Sequence, residues 1–90
     1  KLDAVKAEIA SLYPKVSLQC IVNDAQHVQV ENIVEAVQGK ELRILVNNVG
    51  MSQSHSLLEN MPEEEIREIV LVNALFPALL TKGLLPAMRQ

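Results

Sequence analysis

Leu42-Arg43-Ile44-Leu45-Val46-Asn47-Asn48-Val49-Gly50 is a nearly unbroken apolar run, rich in β-branched residues, that stops abruptly at two asparagines and a glycine. Such a run predicts a strand over residues 42–46, buried on both faces, with a polar corner at its carboxyl end. Upstream, Val30, Ile33, Val34 and Val37 fall at i, i+3, i+4 and i+7, which predicts a helix over about 26–38. Asn23, Asp24 and Ala25 supply capping chemistry before it, and Gly39 a left-handed cap after it. Earlier still, Val16, Leu18, Cys20 and Val22 alternate with Ser17, Gln19, Ile21 and Asn23, a period of two that predicts a strand near a sheet edge. Leu2, Val5, Ile9 and Leu12 predict a first helix over 2–12, ended by Pro14.

Downstream, residues 50–60 are small and polar and read as a loop. Pro62 suits a first helical position, and Glu63, Glu64 and Glu65 complement the positive end of a helix that runs to about Met88. Its predicted inner face is Ile66, Ile69, Val70, Asn73, Leu80 and Leu84, with a bend at Pro77. The order helix, strand, helix, strand, helix implies an α/β fold in which a parallel sheet is wrapped by helices.

Composition narrows the function classes. The 90 residues carry a net charge of −3 and 49% apolar side chains, enough for one small core. Tyr13 and Phe76 are the only aromatics and no basic stripe exists, which argues against a nucleic-acid partner. The glycines, Gly39, Gly50 and Gly83, are too few and too scattered for a phosphate-binding loop. A lone Cys20, with His27 and His55 apart, predicts neither a disulfide framework nor a metal site, and fits a reducing compartment. The longest apolar stretch, Ile69 to Leu80, is broken by Asn73 and Pro77, so no bilayer-spanning segment is expected. The chain starts at Lys1 and enters a helical pattern at once, and so reads as an excerpt of a longer domain.

Two features carry chemical information. Polar residues at a strand's carboxyl end are well placed to touch a ligand, but Asn and Gly are also ordinary turn residues, and at Asn47 to Gly50 both readings stand. Asn73 interrupts an apolar stripe and needs a polar partner opposite it. Pro77 lacks the N–H that would bond the Asn73 carbonyl, leaving that oxygen to a ligand or to a structural water at a kink. Elsewhere, Tyr13 has Ser17 rather than lysine four residues on and reads as a packing residue. Asp24 reads as a helix cap or a ligand contact, His55 and Glu63 to Glu65 as solvated, and Cys20 as a small hydrophobe.

Asn47-Asn48-Val49-Gly50, Val22-Asn23-Asp24 and Val72-Asn73 together resemble the short-chain dehydrogenase/reductase family, over essentially the whole chain. The resemblance implies a partial Rossmann-like, doubly wound parallel sheet, with residues 1–90 as the central part of one NAD(P)-binding domain. It implies that Asp24 contacts adenine, that Asn47, Asn48, Val49 and Gly50 form the cofactor corner, and that Asn73 belongs to the catalytic tetrad. In the family the backbone oxygen of this asparagine holds a water that joins a proton relay. Asn-Asn-Val-Gly-Met-Ser at 47–52 and Leu84-Leu85-Pro86-Ala87-Met88 look more specifically like the very-long-chain 3-oxoacyl-CoA reductase and 17β-hydroxysteroid dehydrogenase branch. Valine at 49, where the family usually has alanine, is shared by that branch. This implies NADPH-dependent reduction of a ketone on a long-chain acyl-CoA or a steroid, at the endoplasmic reticulum membrane. The glycine-rich loop and the Ser and Tyr-x-x-x-Lys residues would lie outside these positions, so the segment alone would be inactive. In the family's 3-2-1-4 strand order the two strands here are not neighbours, and on their own they would leave unpaired edges or pair non-natively. A second reading is a non-catalytic module that associates through the helix at 62–88, as in a homodimer, using Leu71, Leu75, Leu79 and Leu85. A third is a generic small α/β binding domain.

Overall fold

Alternating apolar spacing and an early proline set the first element, and the computed structural model, which describes residues 1–89, has α1 at Leu2–Leu12. Leu2 and Val5 of its apolar stripe remain 41% and 44% exposed, so α1 forms without a covering partner. The expected helix over 26–38 divides. A 3-10 turn at Ala25–His27 ends in Val28, whose φ of 48° and ψ of 46° are left-handed, and α2 covers only Glu31–Ala36. A left-handed valine cannot continue a right-handed helix, which is the physical cause of the break. Beyond α2, Gly39 takes φ +76°, as its place after the periodic stripe predicts, and the Lys40 N–H donates to the Val37 carbonyl at 3.1 Å.

The predicted parallel sheet is absent. Among the described residues there is no strand: residues 16–22 and 42–46 run without helix and without a backbone ladder between them. A ladder needs a second backbone about 4.8 Å away along its whole length, and neither run has one. The expectation that residues 42–46 are buried on both faces fails with it. Leu42 and Leu45 pack against the core, but Ile44 and Val46 are 77% and 75% exposed. The α/β assignment is therefore corrected to a helical assembly with two unpaired connecting runs.

Pro62 caps α3, Glu63–Val70, from one position outside the helix, and Glu63, Glu64 and Glu65 fill the first turn. A π turn at Leu71–Leu75 follows, in which the Phe76 N–H donates to the Leu71 carbonyl, and α4 spans Phe76–Met88. The wider turn lies immediately before Pro77, which cannot donate to the carbonyl four residues back. It also changes the phase of the helix. The buried stripe is Val72, Phe76, Leu80 and Leu84, each no more than 7% exposed; of the predicted face Leu80 and Leu84 hold, whereas Ile66 is 36% and Val70 55% exposed and Asn73 is exposed too. Val30, Ile33, Val34 and Val37 pack onto this stripe, with Ala25, Leu42 and Leu45.

From Glu63 to Met88 the helical segment is 26 residues and is, by length and composition, apolar enough to cross a membrane, contrary to the expectation from its interrupted run. Its buried stripe faces α2, and 22% of its most apolar stretch is buried. The molecule has a radius of gyration of 16.2 Å and 7356 Å² of accessible surface. A compact chain of this size would have roughly 12 Å and roughly 5,200 Å². About 2,000 Å² more surface than a closed domain therefore faces outward.

Candidate functional site

Asn47 ends the apolar run 42–46, and its side chain turns toward α4, where Nδ2 donates to Thr81 Oγ1 at 3.2 Å. Thr81 in turn donates to the Pro77 carbonyl at 2.7 Å, the back-bond a helical threonine commonly makes to the residue four before it. At the other end of the corner, the Met51 N–H donates to Asn73 Oδ1 at 2.8 Å and Asn73 Nδ2 donates to the Met51 carbonyl at 2.7 Å. The corner is thus fastened at both ends to one helical segment, on either side of Pro77. Asn48, Val49 and Gly50 lie between the two fastenings and are exposed.

This pair of contacts defines what Asn73 can do. Both polar atoms of its amide are engaged with Met51, although Asn73 is exposed and lies off the buried stripe, so burial is not what demands these partners. One N–H of the amide and one lone pair of its oxygen stay free beside the backbone carbonyl. Gly50 is informative for a different reason. Its φ is not positive, and a Cβ there would sit 3.7 Å from Asn73 Oδ1, an ordinary contact, so neither backbone nor packing demands glycine. A side chain at 50 would start out toward the Asn73 amide, which the glycine leaves uncrowded.

Asp24 caps the 3-10 turn by accepting from the Gln26 N–H at 3.0 Å, and its other oxygen lies 3.6 Å from His27 Nδ1. The pair is mostly solvated, at 57% and 70% exposure, and contributes little to stability. The turn Ala25–His27 packs against the π turn Leu71–Leu75. The capping aspartate's turn and the asparagine corner are therefore both gathered around the residues on which Asn73 sits.

Three groups escape a reading by periodicity. Thr81 was detectable as a hydroxyl four residues after a proline. Asn23 and Asn32 meet across nine positions, with Asn23 Nδ2 2.9 Å from Asn32 Oδ1, and no local pattern marks them. Glu65 is not simply solvated: it accepts from the Ser54 N–H at 2.6 Å and from Ser54 Oγ at 3.0 Å, and so ties the serine-rich loop to the start of α3. Among the described residues, no three His, Cys, Asp or Glu side chains gather as a metal site would require.

Comparison with known proteins follows the same residues. The chain is 34% identical over 98% of its length to the very-long-chain 3-oxoacyl-CoA reductase of Phaeosphaeria nodorum, of which it spans 27%. It is 33% identical over its full length to the enzyme of that name from Aspergillus niger, again spanning 27%. A Caenorhabditis briggsae very-long-chain 3-oxoacyl-CoA reductase is 32% identical over 98% of the chain, which covers 30% of it. The chain thus spans less than a third of these curated relatives. No solved structure gives a significant match. The short chain dehydrogenase family model matches residues 1–90, the stretch that holds the fastened asparagine corner and the helix it is fastened to, and the chain belongs to that family.

Proposed function

We propose that the chain is the central segment of an NADPH-dependent reductase that acts on the ketone of a long-chain 3-oxoacyl-CoA, and that the complete protein works in fatty acid elongation at the endoplasmic reticulum. The observation that carries this reading is the double fastening of the Asn47 to Met51 corner onto the helix at Thr81 and Asn73. It holds an exposed, amide-rich edge, Asn48 to Gly50, in place for a ligand. The names of the curated relatives support the substrate class, with a steroid ketone as the alternative in the same branch. The residues present suit a dinucleotide: Asp24 offers a solvated carboxylate to the adenine amine, and Asn48, Val49 and Gly50 offer backbone and amide groups beside it.

When bound, a nicotinamide would supply hydride to the ketone. The contribution of this segment is positional. Asn47 and Thr81 orient the corner, and Asn73 clamps Met51 with its side chain while its backbone carbonyl, facing a proline four residues on, is available to hold a water in a proton relay. The glycine-rich loop and the Ser and Tyr-x-x-x-Lys groups belong elsewhere in the complete enzyme.

The test is the intact mass of the natural gene product, followed by NADPH oxidation with 3-oxoacyl-CoA of several chain lengths. A mass well above 10.0 kDa with chain-length-dependent turnover supports the proposal. A mass near 10.0 kDa, or a full-length product that oxidises NADPH with none of these substrates, overturns it. A second reading, association through the long helix, is favoured by the exposure of Val70, Leu75 and Leu85, at 55%, 41% and 44%. Self-association without cofactor, measured by sedimentation, would support it.

A further inference from the structure

The turn that carries Asp24 holds two unfavourable features side by side. Val28 is the one described non-glycine residue with positive φ, and a β-branched side chain makes that region costly. Asn23 Oδ1 is buried and accepts no hydrogen bond among the described residues. A strained residue and an unsatisfied acceptor persist together only where surrounding contacts over-determine the geometry, and such places concentrate at ligand clamps.

The over-determining contacts are those of two amides. Asn23 Nδ2 donates to the Gln29 carbonyl at 2.6 Å and to Asn32 Oδ1 at 2.9 Å, so the turn is closed across its base. Asn32 Oδ1 also accepts from the Ile33 N–H at 3.0 Å, and Asn32 Nδ2 reaches back to the Val22 carbonyl at 3.4 Å. Reversing the Asn23 amide would set its oxygen against two acceptors, so its orientation follows from the network. Residues 22–23 on one side and 29–32 on the other are drawn together, and the five residues between them, Asp24 to Val28, must make a tight reversal. Val28 takes the left-handed conformation as a result.

We infer that Asn23 and Asn32 form a positioning clasp that holds the Asp24 to Val28 turn in its strained shape and thereby presents Asp24 to the adenosine half of a dinucleotide. The inference rests on the proposed role of Asp24. The two amides are positioning residues: they act through the turn and do not themselves touch the ligand.

The experiment uses the complete protein, with NADPH affinity read by fluorescence titration and the exchange rate of the Gln26 amide read by hydrogen exchange. Asn32→Ala is expected to weaken NADPH binding by about three- to tenfold, the factor that loss of one neutral hydrogen bond ordinarily gives. Faster exchange at Gln26, whose N–H is held by Asp24, should accompany it. Asn32→Asp keeps the acceptor for Asn23 Nδ2 but sets its second oxygen against the Val22 carbonyl, and should retain part of the affinity that Asn32→Ala loses. Val28→Gly added to Asn32→Ala should restore it, because glycine enters the left-handed region without strain. Asn32→Ser serves the same comparison where Asn32→Ala does not fold. If thermal stability falls while NADPH affinity holds, the clasp is merely structural and the inference is overturned. If Asp24→Ala weakens binding and the Asn32 variants do not, the clasp alone fails; if Asp24→Ala has no effect, the role of Asp24 fails and takes the clasp with it.

Discussion

Replacing Gly83 by alanine sets two forces of known sign against each other. In an exposed helix, Gly→Ala stabilises by about 0.8–1 kcal/mol, because glycine loses more backbone freedom on folding. At this position a Cβ would lie 2.7 Å from Val34 Cγ2, where carbon atoms at rest keep about 3.5–4.0 Å. Val34 sits in α2 against the buried stripe of α4 and, being β-branched within a helix, has one strongly preferred rotamer. The overlap must then be relieved by moving α2 away from α4, and overpacking of this kind costs about 1–3 kcal/mol. Gly83→Ala should therefore destabilise the complete protein by up to about 2 kcal/mol, the difference of the two effects. The assay is a double-mutant cycle by urea denaturation, with midpoints compared at constant m-value. Val34→Ala deletes the offending methyl and lowers stability by itself, but in that background Gly83→Ala should raise stability by nearly its full helix propensity. A Gly83→Ala variant that is more stable than the parent with Val34 in place, or one whose effect is equal in both backgrounds, refutes the reasoning.

Three further outcomes are expected. Asn73→Ala should free both backbone groups of Met51 and raise hydrogen exchange at its amide by about tenfold, as loss of one to two hydrogen bonds implies; an unchanged rate would show that the corner is held by other contacts. Pro77→Ala supplies the missing N–H beneath Asn73 and should shift the pH–rate profile of the complete enzyme, whereas the same profile and the same rate would exclude a relay through that carbonyl. Glu65→Ala should open the loop at 52–56 to limited proteolysis, while Glu63→Ala, which removes only an exposed 2.7 Å pair with Arg67, should leave cleavage as it was.

What could be read from residues alone divides along the range of the interactions involved. The first helix follows from the spacing of Leu2, Val5, Ile9 and Leu12 and from Pro14, and the structure begins and ends it where the pattern does. The asparagine corner was equally visible, because an apolar run ending in Asn47 and Asn48 is a local event. Family membership came from those same short motifs and is established by the match over the whole chain. The sheet was not legible in the same way. Alternation in residues 16–22 records a preference for pairing, but a strand exists only beside another, and with no second strand alongside it Val22 is 83% exposed. The split of the helix at 26–38 depended on a clasp between residues nine apart, and the inner face of the long helix on a change of phase at Leu71–Leu75, neither of which a fixed 3.6-residue period can anticipate.

That change of phase bears on inheritance. Five residues in the wider π turn wind about as far as four in an α-helix, so losing any one residue from Leu71–Leu75 would return the segment to even winding and leave α3 and α4 facing much as they do now. Glu65, which secures the serine-rich loop, lies on one side of the π turn, and Thr81, which secures the asparagine corner, on the other. A single-codon deletion within the turn would therefore keep the two in register with each other. Ala74, solvent-facing and chemically plain, should tolerate many substitutions and, unlike any residue of α3 or α4, its own deletion.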